Sequence, residues 1–174
     1  MGFVRTKTIK GKKYAYIVEN KWTTNGPRQK SKKYLGRVYA FPKEKIYNFS
    51  NFYKNYNLEI KNSKELLQDL IKLELFNHGF IYDNGLWNNG DCIADVKKLK
   101  FLNEKGKNIV FSINEGLLCK PLIDKILKFK INFKEKYEKE GYELAKLLVE
   151  AGLKIEPEIF IRIYELTQQT NSAL

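Results

Sequence analysis

Histidine is almost missing from this 174-residue chain: His78 stands alone, and the two cysteines, Cys92 and Cys119, form neither a CxxC pair nor a Cys/His cluster. Two scattered thiols cannot build a disulfide framework, and without clustered ligands a structural zinc has nothing to hold it. Both thiols are expected to be buried. No apolar run approaches the roughly eighteen residues that a membrane span requires, and Met1 to Lys10 lacks the apolar stretch of a signal peptide. The expectation is a cytoplasmic protein without a membrane partner. A glycine-rich phosphate loop, a nucleophile elbow and an HExxH pair are missing too, so no cofactor and no metal are expected. With no second titrating group at a defined spacing, His78 reads as a helix C-terminal cap before Gly79 and not as a catalytic base. What is present is enough for a core: 43% hydrophobic residues, 14% of the chain aromatic, exclude a wholly disordered chain. Abundant Lys, Ile and Asn look like the codon bias of an AT-rich prokaryotic genome.

Acidic residues are scarce in one place only. Residues 1 to 45 hold thirteen Lys or Arg against Glu19 and Glu44, a net of +11, whereas the other 129 residues carry nineteen bases and eighteen acids, a net of +1. Charge so segregated costs self-repulsion, and a polyanion that releases condensed counterions on contact would offset it. The partner implied is nucleic acid. DNA and RNA are not separated, since both present phosphates and stackable bases and no RNA-binding signature breaks the tie.

Within this basic segment Phe3 to Lys10, Lys13 to Glu19 and Arg28 to Leu35 are rich in Thr, Tyr, Val and Ile, and the breaks between them hold Gly11 and the stretch Asn20 to Pro27. They predict a three-stranded antiparallel meander with a tight hairpin at Gly11-Lys12 and a longer turn at Thr24-Asn25-Gly26-Pro27. Strict alternation would set Tyr14, Tyr16 and Val18 on one face of the second strand, and Arg28, Lys30, Lys32 and Tyr34 on one face of the third. One face of the sheet then becomes a row of cations beside aromatic rings. Cations neutralise phosphates while Tyr and Trp rings stack on bases, and a two- or three-stranded ribbon fits a major groove. The candidate contact residues are Arg5, Lys7, Lys12, Lys13, Tyr14, Tyr16, Trp22, Arg28, Lys30, Lys32, Lys33, Tyr34 and Arg37. The plainer alternative is a solvated basic sheet whose tyrosines pack on the body, but an ordinary solvated face intersperses both signs of charge.

The run Lys10-Gly11-Lys12-Lys13-Tyr14-Ala15-Tyr16-Ile17-Val18-Glu19, then Arg28-Gln29-Lys30 and Lys33-Tyr34-Leu35-Gly36-Arg37, resembles the N-terminal segment of transposases of the IS1634 type. The resemblance covers about a fifth of the chain and implies a DNA-contacting β module. In that family the segment precedes a DDE catalytic domain, for which this chain is too short.

Pro42 suits the first position of a helix reaching about Tyr56, since Ile46, Phe49, Phe52, Tyr53 and Tyr56 recur at helical spacing; an Asn/Tyr-rich linker is the competing reading. Ser63 is expected to cap a stronger helix with Leu66, Leu67, Leu70, Ile71 and Leu75 or Phe76 inward, closed by Gly79. Beyond it the period changes to two. Phe80–Tyr82, Cys92–Ala94 and Asn108–Asn114 predict a second sheet of three strands, and helices are expected over about Glu115 to Lys130, Lys136 to Ala151 and Pro157 to Gln168. The expected fold class is α+β: a basic β module over residues 1–41, a helical connector over 42–62 and an α+β body over 63–174.

Within residues 63–115, the helix ending at His78-Gly79-Phe80, the strand carrying the acid Asp91 and the strand Ile109 to Glu115 distantly resemble the start of a degenerate PD-(D/E)xK nuclease core, which implies metal-dependent hydrolysis. The positions matching the second acid and lysine are Ser112 and Asn114, while Asp95-Val96-Lys97 spells D-x-K only four residues from Asp91. Asp91, Asp95 and Lys97 are the weak catalytic candidates; their bland reading is solvent-exposed turn and strand-edge residues. The leading expectation is a non-catalytic nucleic-acid-binding protein whose body docks a protein partner or a second copy. A nuclease of this type, active or inactive, and an assembly factor bound to the ribosome or another ribonucleoprotein are the alternatives.

Overall fold

Runs of Thr, Tyr, Val and Ile form β1 (Phe3–Ile9), β2 (Lys12–Thr23) and β3 (Gly26–Ala40), paired antiparallel in sequence order. The computed structural model describes residues 2–24, 26–54, 62–129 and 137–169. The first hairpin turns at Lys10-Gly11, one residue earlier than expected, because both central residues take positive φ (48° and 74°) and the second is the glycine. β3 does not stop near Leu35. Its last residues pair in parallel with β8 (Ile109–Ile113), Arg37 opposite Ile109 through Ala40 opposite Ser112, and β8 turns back into β9 (Gly116–Leu118). The large sheet thus has the order β1-β2-β3-β8-β9.

This corrects the expectation that Asn108–Asn114 belongs to the second sheet. An almost wholly apolar strand buried on both faces suits a central position, and here it is the inner partner of β3. The second sheet is instead a four-stranded meander of β4 (Ile81–Asp83), β5 (Leu86–Asn89), β6 (Cys92–Asp95) and β7 (Lys100–Asn103). A bridge between Leu102 and Asn108 links the two sheets at the β7–β8 turn.

Gly36 makes the crossing from module to body. Its φ is 137°, and a Cβ there would lie 2.3 Å from the Asn108 carbonyl oxygen, so β3 can pass beside β8 only with glycine at this point.

The helix expected from Pro42 shrinks to the single turn α1 (Phe49–Phe52), with Asn48 as N-cap; residues 55 and 56 lie outside the described residues. The chain before it forms neither helix nor strand, and the neighbouring helix end supplies its hydrogen bonds. The N–H groups of Glu44 and Lys45 donate to the Asn77 carbonyl at 2.8 and 3.0 Å, and Tyr47 exchanges two bonds with the Asn77 amide. That helix is α2 (Ser63–Asn77), capped by Asn62 rather than Ser63: Asn62 Oδ1 accepts from the Glu65 N–H at 2.9 Å. It ends as expected at His78 and Gly79, where Phe80 N–H reaches the Leu75 carbonyl (3.0 Å) and Gly79 N–H the Phe76 carbonyl (3.2 Å).

The helix expected over Glu115 to Lys130 is shorter, α3 (Lys120–Leu127), because Asn114 at φ 47° turns the chain into β9 first. α4 (Tyr137–Glu150) and α5 (Pro157–Gln169) lie where the periodicity puts them.

The core gathers Leu66, Leu70 and Ile71 of α2 with Ile123 of α3, Leu144 and Leu148 of α4 and Ile163 of α5. At its aromatic centre Phe111 meets Phe41, Phe80 and Phe101 at 5.1, 5.1 and 5.2 Å between centroids, in tilted and edge-on contacts.

Candidate nucleic-acid interface

β1 covers only Lys12 to Val18 of β2, so from Glu19 to Thr23, paired with Lys30 to Gly26, the sheet narrows to a two-stranded arm. Five pairs at about 3.3 Å per residue give an arm of about 17 Å. Its residues are mostly exposed, on both faces.

Directly paired residues share a face, so the register assigns each side chain. One face carries Arg5, Lys7, Lys12, Tyr14, Tyr16, Trp22, Tyr34 and Arg37; the other carries Lys13, Lys21, Arg28, Lys30 and Lys33. The single row of cations beside tyrosines expected from alternation is therefore corrected. Two register shifts, between Ala15 and Tyr16 and between Ile17 and Val18, leave an extra residue in β3 at Leu35 and at Lys32, and each flips the residues beyond it. Tyr34 thereby joins Ser31 and Gln29, and Arg28 and Lys30 go to the opposite side.

On the aromatic face Tyr34 packs against Tyr16 (5.4 Å) and Tyr14 (6.3 Å), and it is 55% exposed while the other two are half-buried. Burial first, and then the neighbouring tyrosines, push the Tyr34 hydroxyl above its ordinary pKa. Arg37 lies over the Tyr39 ring at 4.7 Å, its Nε buried without a hydrogen-bond partner. Arg5 donates through Nη1 to Gln29 Oε1 across β2. Beside them lies a trough of about 600 Å³ lined by Arg5, Lys7, Tyr16, Val18, Gln29 and Ser31.

Residues 3 to 40 contain eleven Lys or Arg and one acid, Glu19. That acid is taken by Lys32, whose Nζ lies 2.6 Å from Glu19 Oε1; the hydrogen bond from Lys32 holds the Glu19 carboxyl below the usual range. Among the described residues Lys32 is the one cation of this stretch in an ion pair, so most of the charge is matched by nothing in the body. The sequence reading overlooked Lys21, which stands directly opposite Arg28, and the arm's amides Asn20 and Gln29, also paired with each other. Recognising that β2 runs past Glu19 would have found all three.

The catalytic candidates do not converge. Asp91 is an exposed turn residue, Lys97 is exposed, and Asp95 Oδ1 accepts from the Lys98 N–H at 3.0 Å with Oδ2 3.7 Å from Lys98 Nζ. Ser112 belongs to β8 in the other sheet, and Asn114 to the turn that follows it. Among the described residues no three His, Cys, Asp or Glu side chains form a metal-sized group.

His78 is a cap with a buried ring: Nδ1 faces the Phe41 carbonyl at 2.9 Å and Nε2 faces Asn114 Oδ1 at 3.3 Å. Asn114 in turn donates to Glu74 Oε2 (3.0 Å) and the Gly152 carbonyl (2.8 Å), and Glu74 Oε1 accepts from the Lys154 N–H (3.1 Å). This polar knot ties β3, α2, β8 and the α4–α5 loop together. Its groups are consumed by one another, so it reads as structural.

Comparison of the chain with protein-family models, with curated proteins and with solved structures gives no match. Among the described residues no helix is long and apolar enough to cross a membrane.

Proposed function

We propose that this is a non-catalytic nucleic-acid-binding protein that contacts phosphates through its N-terminal β sheet and arm. The observation that carries the reading is the uncompensated charge of residues 3 to 40, eleven cations against one acid that is already paired. The sheet carries cations on both faces, while the arm that projects from it carries them on one face only. A narrow strand pair of this kind fits a groove, where long lysine and arginine side chains reach the flanking phosphate walls. The tyrosine face and the amides supply stacking and hydrogen-bonding groups beside those cations. The resemblance to the DNA-contacting segment of IS1634-type transposases supports the same reading, and the body is assigned the docking of a protein partner or a second copy.

The experiment is fluorescence anisotropy with labelled duplex DNA, single-stranded DNA and RNA over a range of salt, beside nuclease treatment of nucleic acid that copurifies with the protein. Affinity should fall steeply with salt. Binding that ignores salt would end this reading.

A further inference from the structure

The tip of the arm holds an apolar pair that phosphate contacts leave unused. Trp22 faces Pro27 across the last turns of the ribbon, and Trp22 is 84% exposed. Behind the pair on the same face come Asn20 opposite Gln29 and Val18 opposite Ser31, a strip without charge; the reverse face carries Lys21 opposite Arg28 and Glu19 opposite Lys30. The arm is thus sided: an indole and amides in front, cations behind.

We propose that the arm enters a groove of duplex DNA, laying Asn20 and Gln29 along base edges and wedging Trp22 into a base step so that the duplex kinks. The inference rests on the nucleic-acid reading above and narrows it to one ligand class. Amides hydrogen-bond base edges, whereas lysines behind them reach the phosphates on either wall. A wedge that unstacks a step costs free energy, offset when the bent duplex meets further cations. Such cations continue from the root of the arm along the sheet, Lys33 and then Lys13 on the charged face, Arg5 and then Lys7 on the other.

A single strand would fit this surface less well. Tyr14 and Tyr16 are half-buried and tilted against Tyr34, so of the three rings Tyr34 alone is broadly open to a base, and the cations of the reverse face would point away from the strand. Duplex RNA fits less well still, because its major groove is deep and narrow.

The test uses the full chain and a 30-base-pair duplex with a donor and acceptor dye at its ends and a TA step at its centre, the step most easily kinked. Wild-type protein should raise the transfer efficiency and quench the emission of Trp22; the second tryptophan, Trp87, is buried and gives a steady background. Trp22→Ala should abolish the change in transfer and weaken duplex binding by about tenfold, and Trp22→Phe should restore part of both. An unchanged end-to-end distance, bending that survives Trp22→Ala, or a single strand bound as tightly as the duplex would overturn the proposal while leaving phosphate binding intact. Failure to bind any nucleic acid would overturn both readings.

Discussion

Replacing Lys21 and Arg28 together with threonine should stabilise the free protein and weaken its binding. The two cations are directly opposed on the arm, exposed, and in no ion pair among the described residues; Glu19, the acid nearest along the strand, is already paired with Lys32. Like charges so placed destabilise a strand pair by roughly 0.2–1 kcal/mol, and threonine is a good strand former, so the variant should gain about that much. Each phosphate contact adds about 0.9 to the slope of log affinity against log salt, so losing two should flatten it by about 1.8 and weaken binding about 60-fold near 0.1 M salt. Urea unfolding followed by circular dichroism reads the first effect, and anisotropy titrations on one duplex at four salt concentrations read the second. An unchanged slope would mean that neither cation meets a phosphate. A drop in stability would mean that the pair has a structural partner, and the claim of uncompensated charge would fail.

Gly36→Ala should cost about 3 kcal/mol by chemical denaturation, from its φ of 137° and the approach of Asn108 backbone. Gly106→Ala, at φ 68° with nothing within 4 Å, should cost only about 1 kcal/mol. In the buried knot, Asn114→Asp should destabilise more than Asn114→Ala, because a carboxylate would set acceptors against the Glu74 oxygen and the Gly152 carbonyl that now receive the amide's hydrogens; thermal melts of the two variants decide. Burial pushes the Cys119 thiol up to about 11. An unfolded thiol ionises near 8.5 and a folded one only near the higher value, so this group's stabilisation is complete below about pH 8.5 and fades as pH rises toward 11. The stability difference between wild type and Cys119→Ala should therefore shrink over that alkaline range, and one that stays constant would refute the burial argument.

The sequence alone determined what depends on neighbours along the chain. Charge segregation is a matter of counting, and the helices from Ser63, Tyr137 and Pro157 follow from apolar spacing and terminal Gly or Pro, signals that act within a few residues. The first three strands were legible for the same reason, as was the α+β class. Tertiary structure decided the rest. Whether Pro42 begins a helix depended on Asn77, a residue distant in sequence that offers the connector better hydrogen bonds than a helix would. The partner of Ile109–Ile113 depended on which layer could bury both its faces, and that strand found β3, seventy residues upstream. Most consequential for the interface, the one extra residue at Lys32 in β3 moved Arg28 and Lys30 across the sheet from Tyr34. Alternation fixes a side chain's face only while the register holds, and where a bulge falls is set by how two strands, twisted together, must fit the body they join.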